Sequence, residues 1–411
     1  MSKRKQFIRD KLNKFVPTVI ANIINEYESL SGKCEITLEG HTKTVYKCVV
    51  LPNSCSDTSS DNTSYRIISG STDGLLKIWN VQTGTSSRGA RSSGQQRILE
   101  VKCEMTLDNC SDSINFFDIL PDGRIISGVR SLNFDMVPKL KVWNIQNGIC
   151  ELNSEDFPDG TCCPILSTEK VIVGTAWNAF QIWNLQTGQY EQTFHYHHND
   201  ISYCFALADG RIVTVCGFNA NTLKIWNVQS GKCEQTLKGH MLCINFCVIL
   251  PDGRLVSGSA DKTLKIWNTY TEHYDNDNDE NDDSDNEIIN YRYCELSLEG
   301  HKSHVSCCSI LPDGRIVSGS YDKTLKIWNT KTGKCEMTLK GHTDWVKCCS
   351  VLPDGSIISG SFDKTIKVWN AETGKCETTL KGHAHWVMCC SVLPGGRIIS
   401  GSEDGMLKIW S

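Results

Sequence analysis

Cysteine is the residue that most invites chemistry in this chain, which holds 22 of them among 411 residues. In an exported protein such a count reads as a disulfide framework, and in Cys-x-x-Cys pairs as zinc sites. The spacing supports neither. No Cys-x-x-Cys at zinc spacing occurs. Met1 to Lys14 is basic, but the apolar stretch behind it is too broken by polar residues for a secretory signal. The thiols recur instead at two kinds of place. Cys34, Cys103, Cys150, Cys233, Cys294, Cys335 and Cys376 share one, and the doublets Cys307-Cys308, Cys348-Cys349 and Cys389-Cys390 share another. They read as free, mostly buried thiols serving as small apolar side chains, which implies a reducing compartment. The second candidate is acidic: Asp275 to Glu287 holds eight carboxylates. A calcium loop of the EF-hand type needs Gly at its sixth position and Glu at its twelfth, where this tract has Glu280 and Asn286. It reads as a solvated, disordered loop, and no metal or cofactor is expected.

The elements that carry these residues follow from a repeat. Lys77-Ile78-Trp79-Asn80 recurs with small changes, ending at Trp143, Trp183, Trp226, Trp267, Trp328, Trp369 and Trp410. The gaps between these tryptophans are 64, 40, 43, 41, 61, 41 and 41 residues, so the unit is about 41, the size of a four-stranded propeller blade. The unit after Gly300-His301 reads as strands at Val305 to Leu311, Arg315 to Gly319, Leu325 to Trp328 and Cys335 to Leu339. Turns fall at Pro312-Asp313-Gly314, Tyr321-Asp322-Lys323 and Thr332-Gly333. No helical period appears, so the fold is all-β, made of antiparallel four-stranded blades. A net charge of -5 gives no general attraction to nucleic acid or anionic lipid, and no apolar run is long enough to cross a membrane as a helix.

Gly-His opening the unit, Asp in its second turn and Trp ending its third strand resemble the WD-repeat (β-transducin-like) family over residues 34 to 411. The dipeptide reads Trp-Asn seven times and Trp-Ser once, never Trp-Asp, and the family commonly varies that position. The resemblance implies a closed eight-bladed propeller. Its last blade would be completed by the strand Cys34 to Leu38, because the sequence after Trp410 holds only Ser411. It also implies a buried network in five blades: His41, Ser69, Asp73 and Trp79; His240, Ser257, Asp261 and Trp267; His301, Ser318, Asp322 and Trp328; His342, Ser359, Asp363 and Trp369; His383, Ser400, Asp404 and Trp410. Ser-His-Asp sets invite a hydrolase reading, but five copies, each joined to a tryptophan, argue for structural roles and against catalysis. Blades two to four depart from the pattern. Val173 and Trp177 stand where Ser and Asp belong in blade three. Blade four keeps His197, Thr214 and Trp226 but lengthens its turn around Asn219 and Asn221, and blade two has Asp135 in a longer turn. Drift explains this sector, or remodelling for a ligand.

Family propellers bind mostly through one rim. The matching positions here are His304, Tyr321, Trp345, Phe362, His385 and Trp386, with Trp177 in the equivalent turn of blade three. Such rings either cap the strand ends or line a partner-binding patch. Residues 1–31 are expected to be a helical segment in which Pro17, Ile20, Ile24 and Tyr27 weakly resemble the opening of an F-box, with Val19 where that motif has an acidic residue. The domains are thus 1–31 and a propeller over 34–411, with flexible inserts near 85–98 and 272–290. The expectation is a non-catalytic, monomeric scaffold that binds other proteins or peptides; the alternative is an F-box-like substrate receptor docking a cullin-ligase adaptor. Nucleic acid and membrane are not expected partners. The expected location is the cytoplasm, a host's if the chain is viral; Asn/Asp tracts and near-identical blades resemble WD-repeat proteins of giant DNA viruses or of AT-rich protists.

Overall fold

The computed structural model describes residues 32–51, 62–85, 96–108, 114–129, 139–154, 165, 167, 169–174, 180–194, 201–216, 221–270, 291–292 and 294–411. The expected N-terminal helix, the F-box-like residues and the acidic tract lie outside them. Eight sheets follow one another along the chain, each an antiparallel meander. In blade seven the four strands are Val346–Val351, Ile357–Ser361, Thr365–Trp369 and Cys376–Lys381. Blade six repeats them as Val305–Ile310, Ile316–Ser320, Thr324–Trp328 and Cys335–Lys340, within a residue of the sequence-based boundaries.

The second strand is buried at every position in blades five to eight, because it is covered on both faces. It supplies the polar residues from within that cover, as Ser-Gly-Ser. Eight hydrophobic clusters fill the eight junctions between neighbouring blades, and the tryptophan of each blade always packs on the blade before it. The eighth cluster joins Leu393, Ile399, Leu407 and Ile409 to Val45, Ile67 and Trp79, so the ring is closed. The strand Cys34–Leu38 pairs antiparallel with Leu407–Trp410 and completes blade eight. Arg397 Nε donates to Glu35 at 2.9 Å and Lys408 Nζ to Thr37 at 2.8 Å across that seam.

Four features add to or correct the sequence-based picture. The insert in blade one is shorter than expected, since Thr85 and Gln96–Ile98 extend the strands Leu75–Thr85 and Gln96–Asp108, which pair out to Thr85↔Gln96. Beyond the acidic tract, Tyr291–Arg292 adds a short parallel strand to the edge of blade four. The thiols are less buried than expected. Cys34, Cys103, Cys335 and Cys376 are exposed because the outermost strand of each blade is covered on one side only. Among the described residues blade three shows three strands, with Ile165 bridging to Val171 where the innermost strand would lie.

Candidate functional site

The structure brings each of the five predicted quartets into one hydrogen-bonded relay. In blade seven Trp369 Nε1–H donates to Ser359 Oγ at 2.8 Å, and His342 Nε2 lies 2.7 Å from the same oxygen. His342 Nδ1 lies 2.7 Å from Asp363, whose carboxylate also accepts the Thr343 N–H at 3.0 Å. The same contacts, at 2.7 to 3.0 Å, join His240, Ser257, Asp261 and Trp267; His301, Ser318, Asp322 and Trp328; and His383, Ser400, Asp404 and Trp410. His41, Ser69, Asp73 and Trp79 form the fifth. The loop after the fourth strand supplies His, the second strand Ser, the next turn Asp and the third strand Trp.

An indole N–H can only donate, so in every relay the serine oxygen accepts from Trp and shares its remaining hydrogen-bonding capacity with His Nε2, while Nδ1 faces the carboxylate. Burial, the largest influence on His41, lowers its affinity for a proton against the pull of Asp73. Burial works to raise Asp73, but the Thr42 N–H, His41 and the Leu75 N–H outweigh it and hold the carboxyl below its ordinary range. Asp261, Asp322, Asp363 and Asp404 are likewise depressed: burial opposes the shift, and the hydrogen bonds and charge of the neighbouring histidine, with nearby N–H groups, prevail. The order Asp–His–Ser is that of a hydrolase triad. Yet Ser69, Ser257, Ser318, Ser359 and Ser400 are fully buried and each oxygen already receives an indole proton. No reacting carbonyl can reach them.

In the degenerate sector the tryptophan keeps an acceptor by other means. Trp143 donates to Ser127 at 2.9 Å, Trp226 to Thr214 at 2.9 Å, and Trp183 to the Gln181 side chain at 3.3 Å, which substitutes for the serine displaced by Val173. Asn221 accepts from the Thr222 hydroxyl at 3.1 Å. His197, Asp135, Asn219 and Trp177 lie outside the described residues.

At the rim, five of the predicted side chains form one continuous ladder over blades six, seven and eight. His304 stacks on Tyr321 at 5.6 Å, and Tyr321 on Trp345 at 4.3 Å with 7° between planes. Trp345 tilts against Phe362 at 5.5 Å, and Phe362 stacks on Trp386 at 4.2 Å and 2°. Rungs alternate within and between blades. Inside a blade the two positions are tied by backbone, Tyr321 N–H to His304 O and Phe362 N–H to Trp345 O, both at 2.9 Å. Tyr321, Trp345 and Phe362 have rings on both sides and so offer their edges, while Trp386 keeps one face open. Trp345 and Trp386 are 42% and 41% exposed, and neither indole N–H meets an acceptor among the described residues. In the turns that follow the second strands of blades five, six and seven, Lys262, Lys323 and Lys364 hold left-handed φ angles of 75°, 71° and 68°, a conformation that favours glycine, which blades one and eight use there. His385 stands off the ladder, 3.9 Å from Glu403.

One recurring interaction escaped the sequence reading. The asparagine after the tryptophan donates from its amide to a fourth-strand glutamate seven residues on: Asn144 to Glu151, Asn184 to Glu191, Asn227 to Glu234, Asn329 to Glu336 and Asn370 to Glu377, at 2.8 to 2.9 Å. Its carbonyl oxygen meanwhile accepts turn N–H groups, as Asn370 does from Glu372 and Thr373. An aspartate could not donate to the glutamate, so Trp-Asn and Cys-Glu belong together. Their fixed separation was the signal.

Residues 32–80, 231–268, 292–329, 333–370 and 374–411 each match the family model described as WD domain, G-beta repeat. The chain belongs to the WD-repeat family. A crystal structure of the computationally designed Ika8 protein superposes with a TM-score of 0.66 at 23% identity, covering 91% of this chain and 98% of that one. The WD40 beta propeller domain of Doa1 superposes with a TM-score of 0.52 at 18% identity, covering 92% and 96%. These likenesses concern the fold alone. Among curated proteins, the repeats resemble ribosome biogenesis protein YTM1 of Vanderwaltozyma polyspora, 37% identical over 78 residues, 18% of this chain and 16% of that protein. They also resemble small ribosomal subunit protein RACK1 of Neurospora crassa, 37% identical over 79 residues, 19% of this chain and 20% of that protein. The likeness thus spans a fifth or less of these relatives. Among the described residues of this WD-repeat chain, no helix is long and apolar enough to cross a membrane.

Proposed function

We propose that this WD-repeat propeller is a non-catalytic scaffold that captures other proteins through the rim of blades six to eight. The observation that carries this reading is the ladder from His304 to Trp386, in which two tryptophans expose about two fifths of their surface, with Lys323 and Lys364 held in a costly conformation right after Tyr321-Asp322 and Phe362-Asp363. Aromatic side chains bury large areas at small entropic cost, and well-packed rings of this kind form the centres of protein interfaces. The closed, saturated serines favour the non-catalytic half of the proposal. The free thiols of the described cysteines suit a reducing compartment such as the cytoplasm.

The test compares affinity capture from the native cell by the full chain and by Trp386→Ala and Trp345→Ala variants. Trp386 ends the ladder, so its loss leaves melting within a few degrees while capture fails. Trp345 has two ring neighbours, and its loss costs about 1–3 kcal/mol of stability as well. His385→Ala, off the ladder, retains capture. Undiminished capture by the double tryptophan variant refutes the rim reading. A cullin adaptor that disappears from the captured set on removal of residues 1–31 would establish the ligase-receptor alternative.

A further inference from the structure

The cysteine doublets lie on the innermost strands of blades six, seven and eight, and Cys48 holds the corresponding second place in blade one. Their sulfurs meet across blade junctions. Cys389 Sγ lies 3.6 Å from Cys48 Sγ. By the same offset, the first thiol of one doublet contacts the second of the next blade, Cys307 with Cys349 and Cys348 with Cys390. The fold makes room for the first sulfur in each case. A Cβ on Gly319, Gly360 or Gly401 would lie 2.6, 2.6 or 2.8 Å from the Sγ of Cys307, Cys348 or Cys389. In blades two and five the equivalent Gly128 and Gly258 accommodate the rings of Phe116 and Phe246 instead. Four consecutive blades are therefore joined by three thiol pairs; Cys307, Cys348 and Cys389 are only partly covered, as are Cys349 and Cys390, while Cys48 is buried.

We propose that these three pairs are sites of reversible disulfide formation by peroxide, which staples blades six, seven, eight and one to their neighbours. In the first pair the sulfur of Cys307, as thiolate, attacks one oxygen of hydrogen peroxide; the O–O bond breaks, and the departing hydroxide takes a proton to become water. The sulfenic acid so formed is attacked by the sulfur of Cys349, whose proton leaves with the S–OH oxygen as a second water. Two thiols and one peroxide become one disulfide and two waters. Cys307 is the natural attacking group. The Cys349 thiol donates to it, and burial opposes but does not outweigh that contact, the Ser306 hydroxyl at 3.9 Å and the Gly319 backbone; Cys349 is pushed up as the donor. The Cys48–Cys389 bridge joins residues 341 apart at the seam where the first strand completes the last blade.

The experiment treats the reduced full chain with graded hydrogen peroxide, blocks remaining thiols by alkylation and maps peptides by mass spectrometry. The expected result is three linkages, Cys48–Cys389, Cys307–Cys349 and Cys348–Cys390, each costing two hydrogens; because the doublets are adjacent residues, full oxidation joins four peptides into one species six hydrogens lighter than its parts, released by dithiothreitol. The oxidised protein shows a higher melting temperature, an increase that dithiothreitol abolishes. In Cys389→Ala the first linkage is lost and the other two persist. Oxidation of the exposed Cys34, Cys103, Cys335 and Cys376 at doses that leave the three pairs as thiols overturns the proposal. So does bridging between other partners.

Discussion

At the scale of single residues, the tryptophan that ends each third strand dictates more than its own packing. Because it can only donate, it needs a buried acceptor, and the serine that provides one ties it to the histidine and, through that ring, to the aspartate. Removing one link strands the others: Ser359→Ala leaves the Trp369 N–H and His342 Nε2 buried without partners. Each orphaned group costs about 1–3 kcal/mol, so urea unfolding should register a loss of several kcal/mol with no change in the ladder. Ser391→Ala, on the strand Val387–Val392 of blade eight and outside the relays, serves as the unaffected comparison. These quartets were legible through the family resemblance, which five copies of His, Ser, Asp and Trp at matching places in the repeat made available. The Asn–Glu pairs were not, although equally regular, because Asn370 gains its meaning only when the chain doubles back to place Glu377 beside it.

At the scale of the strand, position within a blade decides what a repeated residue does. The same Cys is exposed on an outer strand at Cys376 and packed across a junction on an inner strand at Cys390. Sequence spacing showed that the two classes differ but not which one faces solvent. Strand ends in the regular blades were readable to within a residue from Gly, Asp and Pro turns. In blade one the long hairpin was not, since the Ser/Gly/Arg composition after Ser86 hid its continuation to Thr85↔Gln96. The strand Cys34–Leu38 has the largest structural responsibility of any short element. Without it, blade eight keeps three strands and the edge of Leu407–Trp410 loses its partner. Deleting residues 32–38 should lower the melting temperature markedly and promote aggregation through that open edge, both measurable by light scattering during a thermal ramp. A variant that melts as the full chain does would show that the seam adds little.

At the scale of the ring, the five relays seen among the described residues occupy one continuous arc, blades five to eight and one, while in blades two to four the described residues show the tryptophan donating to a serine, a glutamine or a threonine. The arc should also carry the acid sensitivity of the protein. Its five aspartates are depressed in the folded state, so the unfolded chain binds more protons between the folded values and about 3.9. Their contribution is complete above that value and lost as pH falls through the folded range. His41, lowered by burial, acts in the same direction, its share fading as pH falls below about 6.5. Stability measured by urea unfolding should therefore decline slightly from neutrality to pH 5 and steeply below pH 4, and Asp363→Asn should shallow the lower slope.

The seam at blade eight also imposes an order of events on synthesis. Glu35 and Arg397, which meet across it, are separated by 362 residues. At ribosomal rates, on the order of 20–70 s pass between the emergence of one and the other. Through that interval blade one can fold, but the opening strand has nowhere to go, and the nascent arc shows an unpaired strand at one end and the apolar face of blade one beside it. Two chains growing on the same messenger could trade these opening strands, each finishing the other's last blade. The near-identity of blades five to eight widens the hazard, because the strand that Leu407–Trp410 accepts differs little from Cys335–Lys340 or Cys376–Lys381 of a neighbour.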